Sequence, residues 1–549
     1  MKNIRIFAAA LVLITSVFSF SSCDKQLDLS PIDYYGSGNF WKSEAQFDGY
    51  IYSLNMYLRN LCQTRTMFLG ECRGGLYKTS AGSSDGSTHL NGDILTSNLS
   101  QDVPGLSNFA GYYGAITQTN LFLKRTTETE VLPEAKKNYY LGIAHGLRAF
   151  LYFDLYRTYG AVPLREDIEV IEGETDPRNL YMARNTPDEV FNFITADITA
   201  SLNAFGSVND FNPYGHGAKI TWSKAATEFL AGEVYLWNAK VSVSDINTTH
   251  NAVAGDISKA KTYFTNVINN YGLDLEADFA DVFDVNNKGG KEIIFAIRYL
   301  ENEASNPIGV NYTHMTDGRG ALQNMWDVNG NPFGDPFHLN TSGSQWYEYK
   351  NALWESFDAQ DARRDVTFAA CYNKDADGSL YLFSTPVGKN LGHVNAAGVH
   401  VYDGDQVYYR LAGAYLALAE IANFENPGSA DVAKYINKVR ERAYGSNWSR
   451  EFEYVNNGDF KENEIAILHE KDKEFVNEGQ RWWDLCRMTT KKDGAVTDHL
   501  AFCAEVCPSD DPNLPNQPVL KTTEAYKLLW PVDKNLIGSD PELKQTVGY

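Results

Sequence analysis

Leu411-Ala-Gly-Ala-Tyr-Leu-Ala-Leu-Ala-Glu-Ile-Ala-Asn-Phe-Glu425 runs through Asn426-Pro-Gly-Ser429 into Ala430-Asp-Val-Ala-Lys-Tyr-Ile-Asn-Lys-Val-Arg-Glu-Arg-Ala443. In the first run Leu411, Ala414, Tyr415, Leu418 and Ala422 recur at the spacing of one helix face. In the second, Val432, Ile436, Val439 and Ala443 do the same, and Ser429 supplies the side-chain oxygen that caps the helix start. The loop Glu425 to Ser429 joins the two runs into a helical hairpin.

The same pattern recurs upstream. Thr186-Pro187-Asp188-Glu189 is a helix start in which Thr186 caps, Pro187 takes the first turn and Glu189 closes a capping box. Val190, Ile194, Ile198 and Leu202 follow at helical spacing. Hairpins are predicted from Tyr139–Arg157 with Pro187–Leu202 and from Lys224–Lys240 with Ile257–Asn270, with small residues such as Ala225, Ala231, Ala239 and Ala260 at contact points. Helix pairs of this kind resemble tetratricopeptide repeats, which stack to bury faces that no single pair could cover. The strict consensus of that repeat is absent. The expected fold is mainly α: a tetratricopeptide-like array of four helix pairs carrying a large loop-rich half with small strands.

Between about 275 and 405 Gly, Asn, Asp and Pro become dense and helical periodicity fades, while Glu292-Ile-Ile-Phe-Ala-Ile-Arg-Tyr299 reads as a strand. The scaffold is therefore assigned to about 40–272 and 406–445, and the loop-rich, ligand-facing part to about 273–405 and 446–549. Long loops inside a compact chain are commonly functional. This one holds Tyr299, Tyr312, Trp326, Trp346, Tyr347, Tyr349 and Trp354 among amides and acids such as Asn311, Gln323, Asn324, Asp327 and Gln345. Flat rings stack on the C–H faces of sugars and amides bond hydroxyls, so the mixture suits a neutral polyol ligand. Trp326, Trp346 and Trp354 are the leading stacking candidates, with Tyr299, Tyr312 and, as a hydroxyl donor near the Gly70–Gly75 turn, Arg73. Two or three of the seven rings are expected on an exposed surface, since Trp and Tyr are mostly buried.

Two further constellations bear on chemistry. Asn373-Lys-Asp375-Ala-Asp377-Gly378 opens like a calcium loop, but the twelfth position is Ser384 where a bidentate glutamate belongs, which favours a polar turn over a structural calcium. Glu470, Glu474, Glu478 and Asp484 lie close in sequence and paired carboxylates invite a glycosidase reading. The interleaved Arg481 and Arg487 argue for ion pairs that lower the acids' pKa values. No HExxH, GxSxG, phosphate loop or dinucleotide fingerprint occurs.

The chain opens with Lys2 and Arg5, an apolar run Ile6–Phe20 and Ser21-Ser22-Cys23, the pattern of a secretory signal over residues 1–22 with Cys23 lipidated as the mature N-terminus. Acyl chains there would tether the body, residues 23–549, to a membrane. The net charge of −22 over 549 residues repels phosphate backbones, so nucleic acid is an unfavourable partner. Cys62, Cys72, Cys371, Cys486, Cys503 and Cys507 show no CxxC or zinc spacing; one or two disulfides are expected, of open connectivity.

Motifs along the whole chain carry a resemblance. After Cys23 come Leu27-Asp28, Pro31 and Phe40-Trp41-Lys42-Ser43-Glu44; then Arg148-Ala-Phe-Leu-Tyr-Phe-Asp154-Leu-Tyr-Arg157 and Tyr159-Gly160-Ala-Val-Pro163-Leu164. Arg410-Leu-Ala, Tyr415-Leu, Ala419-Glu420 and Ile436-Asn437-Lys-Val-Arg440-Glu-Arg442-Ala443 follow. Phe475-Val-Asn-Glu478-Gly479-Gln-Arg481-Trp-Trp-Asp484-Leu and the ending Leu529-Trp530-Pro531, Asp540-Pro541-Glu-Leu-Lys-Gln545 and Gly548-Tyr549 complete the set. In this order they resemble the SusD/RagB family, surface lipoproteins of Bacteroidetes nutrient-uptake systems. Departures are local: Gly413 where glutamate is usual, Lys471 after Glu470, Cys486 within the Asp-Leu run, and Thr546-Val547 near the end.

The resemblance implies a right-handed superhelix of helix pairs bearing a glycan-binding half, with no cofactor and no catalysis. It also implies a lipid anchor in the outer membrane, exposure at the cell surface, and a SusC-like TonB-dependent outer-membrane barrel over which the protein sits as a lid. The competing readings are a tetratricopeptide-like scaffold that binds peptides or only its membrane partner, and a surface glycosidase.

Overall fold

The computed structural model describes residues 40–79, 93–102, 108–166, 176–311, 325–338, 347–492, 494, 496–511 and 513–549. The expected signal segment 1–22, Cys23, Tyr312 and Trp346 lie outside the described residues.

The long helices are α1 Glu44–Gln63, α2 Ala110–Glu128, α3 Glu134–Tyr159, α4 Pro187–Phe205, α5 Lys224–Lys240, α6 Ile257–Asn270, α7 Leu411–Glu425 and α8 Ala430–Tyr444. They pack as four antiparallel pairs, α1 with α2, α3 with α4, α5 with α6 and α7 with α8; successive pairs meet through α2 and α3, α4 and α5, α6 and α7. The predicted hairpins are present, and the first pair is the one not drawn from sequence. The caps act as read. Thr186 and Glu189 form a capping box at α4, and the Ser429 hydroxyl accepts from Asp431 N at α8. α3 is buried on nearly every side from Tyr139 to Tyr159, as a helix at the centre of an array must be.

Among the described residues, five two-stranded antiparallel ladders decorate this array. They are β1 Tyr77–Thr79 with β5 Tyr347–Tyr349, β2 Val243–Asp245 with β3 Thr248–His250, β4 Ile293–Ile297 with β10 Gln406–Arg410, β6 Cys371–Lys374 with β7 Leu380–Ser384, and β8 His393–Val394 with β9 His400–Val401. The strand expected over Glu292–Tyr299 is β4, and every residue of β4 and β10 is buried. β10 passes directly into α7, so the loop-rich segment is stitched to the fourth helix pair by backbone hydrogen bonds.

Two expectations need correction. The stretch after 446 contains the short helix Lys534–Ser539 and, before it, two longer ones, α9 Phe460–Glu474 and α10 Arg481–Arg487, with α9 packed against α7. Neither shows a simple apolar stripe, because their inward faces carry charges that are paired in the core. The thiols of Cys62, Cys72, Cys486, Cys503 and Cys507 are free, so the expected disulfides do not form among them.

Candidate functional site

Trp326 sits at the start of a tight loop. Asp327 N donates to Asn331 O at 2.9 Å and Phe333 N to Met325 O at 2.9 Å. The Asp327 carboxylate accepts from the backbone N of Asn329 and Asn331 at 2.8 and 2.9 Å and from Asn331 Nδ2 at 3.0 Å. The Asn331 side chain heads the hydrogen bonds that hold Asp327 below the usual carboxylate range. The near edge of this loop adds to β6: Trp326 N donates to Tyr372 O at 2.9 Å and Tyr372 N to Trp326 O at 2.8 Å. Tyr372 in turn lies opposite Leu382 on β7. Residues directly opposite across antiparallel strands share a face, so Trp326, Tyr372 and Leu382 form one row.

Trp354 reaches the same row from a short helix, Asn351–Glu355, that follows β5; its ring meets Tyr372 edge-on at 6.5 Å. Trp326, Tyr372 and Trp354 are all half-buried, each with part of its surface open to solvent. A cation lies near each tryptophan. Lys374 Nζ is 4.3 Å from the Trp326 ring centroid, and the Arg364 guanidinium is 5.2 Å from that of Trp354. The result is a strip of three held rings on the loop-rich half, with hydrogen-bonding groups at its margins.

The other predicted contacts are elsewhere. Tyr299 is 1% exposed and Tyr349 1%; both are core rings, and Tyr349 packs on Tyr77 with their hydroxyls 2.9 Å apart. Arg73 is not a surface donor. It is wholly buried, 3.9 Å from the Trp482 ring centroid and 5.5 Å from that of Trp530, with Nε donating to Ser97 Oγ at 3.3 Å. Burial pushes its pKa down to about 10. The glycines of the Gly70–Gly75 turn pass under α10: a Cβ on Gly74 would lie 2.4 Å from Arg481 Cγ. Of the predicted calcium loop, Asn373 lies on β6 opposite Tyr381, and Asp375 and Asp377 form the turn of the β6–β7 hairpin. Asp375 N donates to Ser379 O at 2.9 Å, and Asp377 Oδ1 accepts from Ser379 N at 2.9 Å and Oγ at 2.6 Å. Among the described residues no group of three His, Cys, Asp or Glu side chains is placed to hold a metal ion.

The acid cluster is buried and paired. Arg410 binds Glu292 at 2.8 Å, Glu478 at 2.8 Å and also Glu474; Arg442 binds Glu292 at 2.6 Å and also Glu474. Arg363 binds Asp361 and Glu470 at 2.7 Å and Glu474 at 2.9 Å, and Arg440 binds Glu470 at 2.7 Å. A second group joins Lys240 to Glu420 at 2.8 Å, Arg487 to Glu420 at 2.9 Å and Lys471 to Asp484 at 2.7 Å. Burial alone would raise Glu474, yet Arg442, Arg410 and Arg363 hold it well below the usual range; Glu470, buried beside Arg363 and Arg440, is lowered too. A glycosidic acid needs a raised pKa and a cleft that admits substrate, and Glu470 and Glu474, lowered and buried, have neither.

Comparison with known proteins bears on this arrangement. The model of the SusD family matches residues 291–549, and a model described as starch-binding and associating with the outer membrane matches residues 39–236. A SusD superfamily protein of Bacteroides fragilis NCTC 9343 has a crystal structure similar to this chain at 46% identity, covering 93% of this chain and 100% of that one, with a TM-score of 0.85. The chain belongs to the SusD family. B. fragilis NanU is similar at 31% identity over 95% of this chain and 100% of its own, with a TM-score of 0.77. SusD-like protein P38 of Formosa agariphila is 22% identical over the full length of both chains.

Within this SusD family member, sequence reasoning passed over Tyr372, the residue just before the segment read as a calcium loop. The alternation Tyr372, Lys374 on one face of a strand was the signal available for it. It also passed over Tyr52, Met56 and Arg59, which lie on α1 beside the turn Leu300–Glu303 and line the walls of a groove of about 440 Å³. Their spacing on a helix reads as an ordinary amphipathic edge.

Proposed function

We propose that this chain is a non-catalytic, cell-surface glycan-binding lipoprotein. Anchored through Cys23 in the outer membrane, it captures oligosaccharides on the Trp326–Tyr372–Trp354 strip and delivers them, as a lid, to a SusC-like TonB-dependent barrel. The observation that carries the binding role is that strip: three half-buried rings, locked by backbone and cation contacts, with open surface where an extended sugar chain could lie. The family model described as starch-binding and associating with the outer membrane supports both ligand class and location. The pairing and burial of Glu470, Glu474, Glu478 and Asp484 support a role without hydrolysis. The reading calls on no cofactor.

The test is affinity electrophoresis of the wild type through gels carrying amylopectin, xylan, pectin or mucin, followed by calorimetry with oligosaccharides of the retarding polymer. Alanine variants of Trp326, Trp354 and Trp346, the last outside the described residues, are compared. Loss of a stacking ring is expected to cost about 1–3 kcal/mol of affinity with melting unchanged, on the scale of bases stacked on aromatic platforms. Wild-type binding by all three variants would remove the strip from the site, and release of reducing ends on long incubation would restore the glycosidase reading.

A further inference from the structure

The groove beside α1 is built where the first helix pair meets the turn after β4. Tyr52 is 52% exposed and Met56 49%, and they stand one turn apart on the outer face of α1. Leu300, 40% exposed, faces them from the turn, and Ile220 and Ile297 line the groove with them. Its volume, about 440 Å³, falls in the range of ligand pockets, roughly 300–1,000 Å³. The Tyr52 ring is braced edge-on by His216 at 6.0 Å.

The polar groups are held as firmly. Arg59 Nη1 binds Glu303 at 2.8 Å, and its guanidinium lies 5.5 Å from the ring centroid of buried Tyr299. Glu303 keeps half of its side chain in water. Arg298 is tied by Nε to Asp405 at 2.8 Å. Each arginine has five N–H donors and only one is engaged in these contacts, so donors remain over for a ligand. An exposed ring, apolar walls and a pre-formed Arg–Glu pair are what a pyranose requires. Its C–H face stacks on the ring, one hydroxyl donates to the carboxylate, and its neighbour accepts from the guanidinium. A peptide ligand would leave the Arg–Glu pair without a matching diol. An anionic ligand would meet Glu303.

We propose that this groove is a second carbohydrate-binding site, in which Tyr52 stacks on a sugar ring and the Arg59–Glu303 pair grips its vicinal hydroxyls, Tyr299 serving beneath as the platform for Arg59. The proposal rests on the glycan-binding reading above but uses none of the strip's residues.

The experiment is calorimetry with a trisaccharide prepared from whichever of amylopectin, xylan, pectin or mucin retards the wild type. The expected stoichiometry is two per chain, falling to one in Tyr52→Ala and separately to one in Trp354→Ala. Arg59→Gln is expected to weaken the groove site at least tenfold with the melting temperature unchanged, and it keeps the test open if Tyr52→Ala fails to fold. A wild-type stoichiometry of one, lost in Trp354→Ala and untouched by Tyr52→Ala or Arg59→Gln, overturns the second site and leaves the function standing. A wild type retarded by none of the four gels overturns both. Normal sugar binding in Arg59→Gln with loss of an outer-membrane partner on co-purification overturns the sugar assignment in favour of a protein contact.

Discussion

Glu474 shows how a single residue can look catalytic and be structural. Three arginines surround it, so neutralising it strands buried cations, which costs far more than an exposed pair would. Glu474→Gln is expected to lower stability by about 3–5 kcal/mol at neutral pH. The sign with pH follows from its lowered pKa: its contribution is complete above the unfolded value of 4.5 and is lost as pH falls toward the folded value. The gap between wild type and variant in urea unfolding should therefore hold from pH 7 down to about pH 4.5 and narrow progressively below it. A gap as wide at pH 3 as at pH 7 would show that the residue's charge is not what matters. Arg73 is the opposite lesson. Its sequence neighbours suggested an exposed donor, but its environment comes from Trp482, Trp530 and the carbonyl of Lys527, 454 positions away, and nothing local signals such a contact.

Elements were legible in proportion to how local their causes are. Caps and 3.6-residue periodicity act within a few positions, so α4, α7 and α8 could be read directly. The ladder β1–β5 joins Tyr77 to Tyr349, and a pairing across that separation leaves no trace in either strand alone. Rings suffer the same loss, because an aromatic at a strand position looks alike whether part of it faces solvent, as in Tyr372, or all of it faces the core, as in Tyr349. Close helix contacts give a sharper test. A Cβ on Gly146 in α3 would fall 2.1 Å from Trp222 Nε1 and 2.9 Å from Thr227 Oγ1, where those two side chains share a 2.9 Å hydrogen bond. Alanine raises helix propensity by about 1 kcal/mol, but the overlap costs more. Gly146→Ala is expected to destabilise by roughly 1–3 kcal/mol net in thermal unfolding; a stabilised variant would mean the Trp222 ring swings aside freely.

At the scale of the whole molecule, the helical array and its family were legible from motifs spread over the full chain, whereas the position of the binding surface was legible only in outline. The loop-rich half was read as the ligand-facing one, and the proposed strip lies in it; which of its rings stay open depends on depth, which composition does not encode. Anchoring also belongs to this scale. Cys23→Ala is expected to leave the body folded, with an unchanged melting temperature, and to move it from the membrane pellet to the soluble fraction, since on the proposed reading acyl chains on Cys23 supply the tether. Retention of that variant after a high-pH wash would rule the tether out.

The pairing of Arg410 with Glu292, Glu474 and Glu478 has a consequence in time. A growing chain that has delivered Arg363, Arg410 and Arg442 can pair them only with Asp361 and Glu292, and closing the core around three guanidinium groups before Glu470, Glu474 and Glu478 arrive is costly. The array should therefore stay open until α9 and the turn after it arrive, and then close in one step. A fragment ending at residue 455 is expected to remain protease-sensitive throughout, although it contains all four helix pairs; a protease-resistant core in that fragment would show that the array matures on its own. The arrangement makes the segment from α9 onward the switch that closes the array, and a copy lacking that segment stays open to proteolysis.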